Sequence, residues 1–253
     1  MLDTPELRLP PPVSAGLPRK RVLLVGLGGL GCPVAWVLAQ SSGAELVLLD
    51  DDEVDESNLG RQVLFDDGDI GRPKIEAGRE RLLALGAERV ETIAGRLLPE
   101  NARELVRSVE LVVEGSDNYA TKFLAADAAH LESRPIVHGA AVGWRATAWS
   151  VSPQGAPCYR CLFEEPPSGP AASCTSRGVM GAVVGFTGAL MADLALAVLS
   201  ERPRHGTLWN IDGKRQTVRP TQLSPNSRCS LCSAEPRIVE ILSQHYQPRA
   251  SAA

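Results

Sequence analysis

The sequence predicts an α/β protein built on a doubly wound, mixed sheet with a C-terminal antiparallel extension. Three observations lead there: an apolar run ending in a glycine-rich turn, a continuing alternation of apolar runs with helix-compatible segments, and a later pair of strand-like runs separated by a turn signal. With 253 residues and 44% apolar content, the chain can bury one sizeable core.

Residues 21–25, Arg-Val-Leu-Leu-Val, end at Gly26 and read as a strand covered on both faces. Residues 33–41 suit a helix, since Pro33 is tolerated in a first turn, and 45–50 read as a second buried strand. A helix from Lys74 to Leu85, a short strand at 90–94 and a helix over 100–107 continue the alternation. Leu111-Val112-Val113 and residues 135–138 are further strands, with the alanine-rich segment 120–131 as the helix between them. Residues 146–151, 207–211 and 215–219 look antiparallel, the last two joined by Asp212-Gly213. Val179 to Leu199 approaches the roughly 20 residues of a membrane span. Gly181, Gly185, Gly188 and Asp193 interrupt it, so a buried helix after a glycine-rich loop is expected.

Residues 1–18, with Pro10-Pro11-Pro12, are expected to form an extended arm, 19–232 the main domain, and 233–253 a tail with one short helix near 236–243 and a frayed end. The 26 basic and 30 acidic residues are interspersed, which argues against a nucleic-acid partner and an anionic membrane surface. A small molecule or a protein is the expected partner. Met1 to Pro18 lacks the basic head and apolar stretch of a secretory signal, so a cytoplasmic location is expected.

Gly26, Gly28 and Gly31 satisfy G-x-G-x-x-G between a predicted strand and a predicted helix, the context that motif requires. Such glycines let the backbone approach a phosphate, and the helix N-terminus offers it free N–H groups. Asp50 ends the second strand, where a carboxylate can accept from ribose hydroxyls. The loop predicts a Rossmann-like nucleotide site and leaves nicotinamide, flavin and adenylate chemistry open.

Further segments choose among these. Val25-Gly26-Leu27-Gly28-Gly29-Leu30-Gly31-Cys32, Leu48-Leu49-Asp50-Asp51-Asp52, Ser57-Asn58-Leu59-Gly60-Arg61-Gln62, Gly71-Arg72-Pro73-Lys74 and Ser116-Asp117-Asn118 occur in that order. Together they resemble the MoeB/ThiF/HesA family, bacterial relatives of ubiquitin-activating enzymes, over residues 21–232. The resemblance implies ATP-dependent adenylation of the C-terminal carboxylate of a small carrier protein. Attack on the α-phosphorus of ATP builds charge on phosphate oxygens. Arg61 offers a planar fork for them, Lys74 a compact charge and Asn58 a neutral hydrogen bond. The resemblance implies that these three contact the ATP phosphates, that Gly26, Gly28, Gly29 and Gly31 form the nucleotide loop, and that Asp117 holds Mg2+. Asp52 assists Asp50 or the metal, or stays solvated. Gly115-Ser116 departs from the family's usual C-T before D-N.

Cys158-Tyr159-Arg160-Cys161 and Cys229-Ser230-Leu231-Cys232 supply the four thiolates of a closed tetrahedral site, which predicts structural Zn2+ rather than catalysis. Cys32, in the first turn of the loop helix, reads as a packing residue. Cys174 lies in a polar stretch beside Arg177; the resemblance matches it to a crossover-loop cysteine that handles sulfur or forms thioesters, and an unreactive exposed thiol is the other reading.

By resemblance the partners are a ubiquitin-like sulfur carrier ending in Gly-Gly, a separate sulfur donor and a second copy of the chain in a homodimer. An N-terminal arm whose arginine reaches the neighbouring subunit's ATP is also typical of the family; here Arg8 is the only arginine before Arg19. Adenylation of a peptide or a tRNA base, a nicotinamide-dependent oxidoreductase, and a non-adenylating scaffold are the competing readings.

Overall fold

The computed structural model describes residues 20–41, 43–167 and 178–246, so the arm, Arg8 and Cys174 lie outside the described residues. Strand β1 (Arg21–Val25) shows why two layers of helices are needed. Successive strand residues face opposite ways; Val22 and Leu24 enter one apolar cluster and Leu23 and Val25 another. β1 lies between β2 (Glu45–Asp50) and β4 (Leu111–Glu114), parallel to both, with Val22 opposite Leu46 and Leu111. β3 (Val90–Ala94) and β5 (Ile136–Val142) extend the parallel part. The antiparallel extension is β6 (Arg145–Val151), β7 (Thr207–Asp212) and β8 (Thr217–Gln222). The order is β3-β2-β1-β4-β5-β6-β7-β8, a doubly wound mixed sheet as the sequence predicts.

Helices α1 (Gly31–Ser41) and α2 (Lys74–Ala84) bury residues in the cluster of Val22 and Leu24, while α3 (Ala102–Arg107) and α4 (Tyr119–Leu131) do so in the opposite cluster. A short α5 (Tyr159–Leu162) carries the first cysteine pair. The apolar stretch near residue 190 is α6 (Gly181–Leu199), long and apolar enough to cross a membrane by length and composition. One face of it is core: Val183, Val184, Met191, Leu194 and Ala195 are buried with the first cluster. Its outer face exposes Phe186 at 51%.

Two expectations differ in detail. Asp212 Oδ1 accepts from the N–H groups of Lys214 and Arg215, each at 3.1 Å, and Gln216 has φ 54°; the hairpin loop therefore takes four residues, and β8 starts at Thr217 instead of 215. No helix forms at 236–243. The N–H groups of Arg237 and Ile238 donate to Ser230 O, which draws this stretch back onto the second cysteine pair, and a 3-10 turn follows at Ser243–Tyr246.

α1 and α6 cross at Gly188, where an added Cβ would lie 2.2 Å from Pro33 Cγ and 3.0 Å from Leu30 O. Gly188→Val should therefore destabilise the fold by about 1–3 kcal/mol through overpacking. Urea unfolding checks this; an unchanged midpoint would mean that the helices separate freely here.

Candidate functional site

The chain reverses its direction of winding between β1 and β4, and a cleft of about 640 Å³ opens over the C-terminal ends of the parallel strands at that point. Open α/β sheets place ligands at such a switch, and the volume falls within the roughly 300–1,000 Å³ of small-molecule sites. Gly26 turns the chain with φ +90°. At Gly31 a Cβ would sit 2.0 Å from Gly26 O, so only glycine closes this turn, whereas at Gly28 nothing lies within 4 Å. The turn needs Gly31 for packing, and Gly28 leaves the backbone open towards the cleft. A Cβ on Gly29 would meet Val184 of α6 at 2.6 Å.

Asp50, at the end of β2, accepts from Leu27 N–H at 2.6 Å and from Asp52 N–H at 2.9 Å. Burial pushes its carboxyl pKa up, against the pull of Lys74 and these N–H donors. Lys74 opens α2, is 5% exposed and gives Nζ to Asp52 Oδ2 at 2.7 Å. Asp52 thus pairs with the lysine, a partner the sequence reading did not name for it. Arg61 Nη1 donates to Ser57 O at 2.6 Å, while buried Asn58 ends a 3-10 turn capped by Asp55. Asp117, exposed just past β4, precedes Asn118, whose side chain caps α4 through Thr121 N–H. Gly26, Gly28, Gly29, Asp50, Asp52, Asn58, Arg61, Lys74 and Asp117 all line the one cleft; Gly31 stands behind it in α1.

Several cleft residues had not been singled out in the sequence. Arg96, just past β3, donates Nε to Asp51 Oδ2 at 2.6 Å, and Gln62 is buried with an Oε1 that has no partner. Arg96 occupies a strand's carboxyl edge, the same cue that singled out Asp117. Beneath the cleft lies a buried charged group: Lys122 Nζ donates to Glu114 Oε2 at 2.9 Å and to Gly139 O at 2.6 Å, and His138 Nδ1 is 3.3 Å from the same Glu114 oxygen. Ser116 donates through both N–H and Oγ to Glu114 Oε1. Burial pushes the Glu114 carboxyl pKa up, but Lys122, His138 and Ser116 outweigh it and hold the group at about 2.

Cys158, Cys161, Cys229 and Cys232 converge, with sulfur separations of 3.4, 3.5 and 3.9 Å among the bonded pairs. These are far beyond a disulfide bond. They bracket the ~3.8 Å edge of a tetrahedron with about 2.3 Å metal–sulfur bonds. Asn226 N–H and Leu231 N–H point at Cys161 and Cys229 sulfurs, as suits thiolates. The donor set therefore fits zinc. Cys32 is buried, and burial pushes its thiol up to about 12, in keeping with a packing role.

The ThiF family profile matches residues 10–231. A "Sulfur carrier protein adenylyltransferase" of Thermus thermophilus is 40% identical over 89% of this chain and 87% of its own length. A "SAMP-activating enzyme E1" of Haloferax volcanii is 37% identical over 84% and 80%. An "Adenylyltransferase and sulfurtransferase MOCS3" of Anopheles gambiae is 35% identical over 89% of this chain, which spans about half (52%) of that protein. Among solved structures, Escherichia coli MccB with MccA-N7isoASN superposes with a TM-score of 0.77 at 22% identity, over 87% of this chain and 68% of that one, a likeness of fold. The cleft and these likenesses define an adenylyltransferase of the ubiquitin-activating class. More particularly, the chain belongs to the ThiF family, the group that includes MoeB.

The Glu114 pair carries a pH signature. A carboxyl with a depressed pKa stabilises the fold above its ordinary value of 4.5, and this contribution is lost as pH falls towards about 2. The gap in unfolding free energy between wild type and Glu114→Gln should be widest near neutral pH and narrow across that window. Urea titrations at each pH measure it; a pH-independent gap would show that the charge on Glu114 contributes nothing.

Proposed function

We propose that the protein adenylates the C-terminal glycine carboxylate of a ubiquitin-like sulfur carrier ending in Gly-Gly, using ATP and releasing pyrophosphate. What carries this reading is that Arg61, Lys74 and Asp117 line the cleft of the glycine loop in a chain 40% identical to a sulfur carrier protein adenylyltransferase over most of both. In the reaction a carboxylate oxygen attacks the α-phosphorus. A C–O–P anhydride forms, the bond to the bridging oxygen breaks, and its electrons leave with pyrophosphate.

Each residue then has work suited to its surroundings. The open backbone at Gly28 approaches the phosphates, and Asp50 has lone pairs left for ribose hydroxyls after accepting from Leu27 and Asp52. Lys74 gives one donor to Asp52 and keeps the others for phosphate oxygens; Arg61 adds a planar fork, and Asn58 an uncharged contact. Asp117 would hold Mg2+, which when bound neutralises charge shared between phosphate oxygens. Cys174 is the thiol proposed either to attack the carrier's acyl-adenylate, forming a thioester and expelling AMP, or to accept sulfane sulfur from the persulfide of a separate donor protein, whose thiol leaves. The four-cysteine site is proposed to hold one structural zinc joining α5 to the segment after β8, and a cytoplasmic location would keep such thiols reduced. A homodimer is proposed, as the family resemblance implies.

Exchange of labelled pyrophosphate into ATP tests the reading. A matching Gly-Gly carrier should stimulate exchange, Arg61→Ala and Lys74→Ala should each lower it by about 100-fold, and Cys174→Ser should leave it intact while abolishing any covalent carrier adduct. Exchange driven by a peptide or a tRNA instead, or by nothing, would sink the carrier assignment. Metal analysis should find about one zinc per chain, and Cys229→Ser should lose it and melt several degrees lower, about what a 1–2 kcal/mol loss produces. Wild type that carries no metal as purified, or whose melting temperature is unchanged when a chelator strips the metal, would refute the zinc site.

A further inference from the structure

The family match ends at residue 231, yet the following residues take a definite course. Arg237 and Ile238 are tied to Ser230 O, Ile238 is buried in the cluster of α3 and α4, and the turn Ser243–Tyr246 packs on α4. Tyr246 is 6% exposed and donates its hydroxyl to Asp127 Oδ2 at 3.1 Å.

Asp127, on α4 and 0% exposed, also accepts from Arg160 Nε and Nη2, each at 2.8 Å. Arg160 lies between Cys158 and Cys161, 4.9 Å over the Phe123 ring, and gives Nη1 to Glu164 O. One buried carboxylate thus joins the tail, a cleft-lining helix and the first cysteine pair. The Asp127–Arg160 pair is bidentate and complete without the tyrosine. What the tyrosine hydroxyl adds is an anchor for the end of the tail, and Tyr246 lines the nucleotide cleft along with Tyr119, Ala120 and Leu124 of α4.

We propose that the segment after the second cysteine pair is a built-in wall of the nucleotide cleft, and that Tyr246 is a positioning residue which, anchored on Asp127, sets how closely an adenine nucleotide is enclosed. This rests on the ATP reading given above. The wall is added beyond the stretch the family profile matches, so it tunes affinity and leaves the transfer chemistry to the loop and its cations.

The test uses the full chain with Tyr246→Ala and Tyr246→Phe, reading ATP affinity by calorimetry and KM and kcat for ATP by pyrophosphate exchange. Tyr246→Ala should raise Kd and KM about tenfold with kcat within about threefold, and Tyr246→Phe, which keeps the ring and loses the anchor, should fall between it and wild type. The phenylalanine variant, one oxygen smaller, keeps the test open if the alanine variant does not fold. Wild-type Kd and KM in a folded variant, or a loss of kcat at unchanged KM, would overturn the proposal while leaving the ATP reading standing. No binding of ATP to the wild type would instead remove the reading beneath it.

Discussion

The carboxylate of Asp50 is the joint on which the cleft depends. It holds the glycine turn through Leu27 N–H and the next turn of chain through Asp52 N–H, so the end of β2 fixes the loop after β1. Asp52 then reaches Lys74 at the start of α2, which brings a buried cation to the same cleft. Three successive elements are thereby locked by a short relay of charge-assisted hydrogen bonds, running from half-buried Asp50 through exposed Asp52 to buried Lys74. Packing alone would set the strands side by side without fixing where the loop sits over them.

The second half of the cleft stands on a different foundation. Lys122 spans Glu114 on β4 and Gly139 on β5, and Ser116 folds back onto the same carboxylate, so the turn that presents Asp117 starts from a neutralised, fully buried group. Ion pairs of this depth cost much desolvation and return it only when every partner is present. Their use beneath a polar cleft is to define one geometry for the turn, which an apolar substitute would leave loose.

How much of this was legible depended on the range of the cause. The strand and helix order, the glycine turn and the cysteine hook are local: period, φ at Gly26 and a two-residue spacer declare themselves within a few positions. That Arg61, Lys74 and Asp117 share a cleft was inferred from family motifs, not from periodicity. The burial of Lys74 depends on Asp52 twenty-two residues earlier, and Lys122 in an alanine-rich helix gave no sign that β4 would supply its partner. The tail was harder still. Few apolar residues mark it, and its course is set by Ser230 O and by Asp127, 119 residues before Tyr246.

The glycines along α6 have a mechanical consequence. A Cβ on Gly29 would strike Val184, one on Gly188 would strike Pro33, and one on Gly181 would lie 2.6 Å from Gly60 O, beside Arg61. Helix, glycine turn and the turn of Arg61 are thus separated only by the short side chains of Val184 and Pro33 and by the bare carbonyl of Gly60. Little room is left between the helix and the floor of the cleft, so any side chain added at these glycines must shift one against the other.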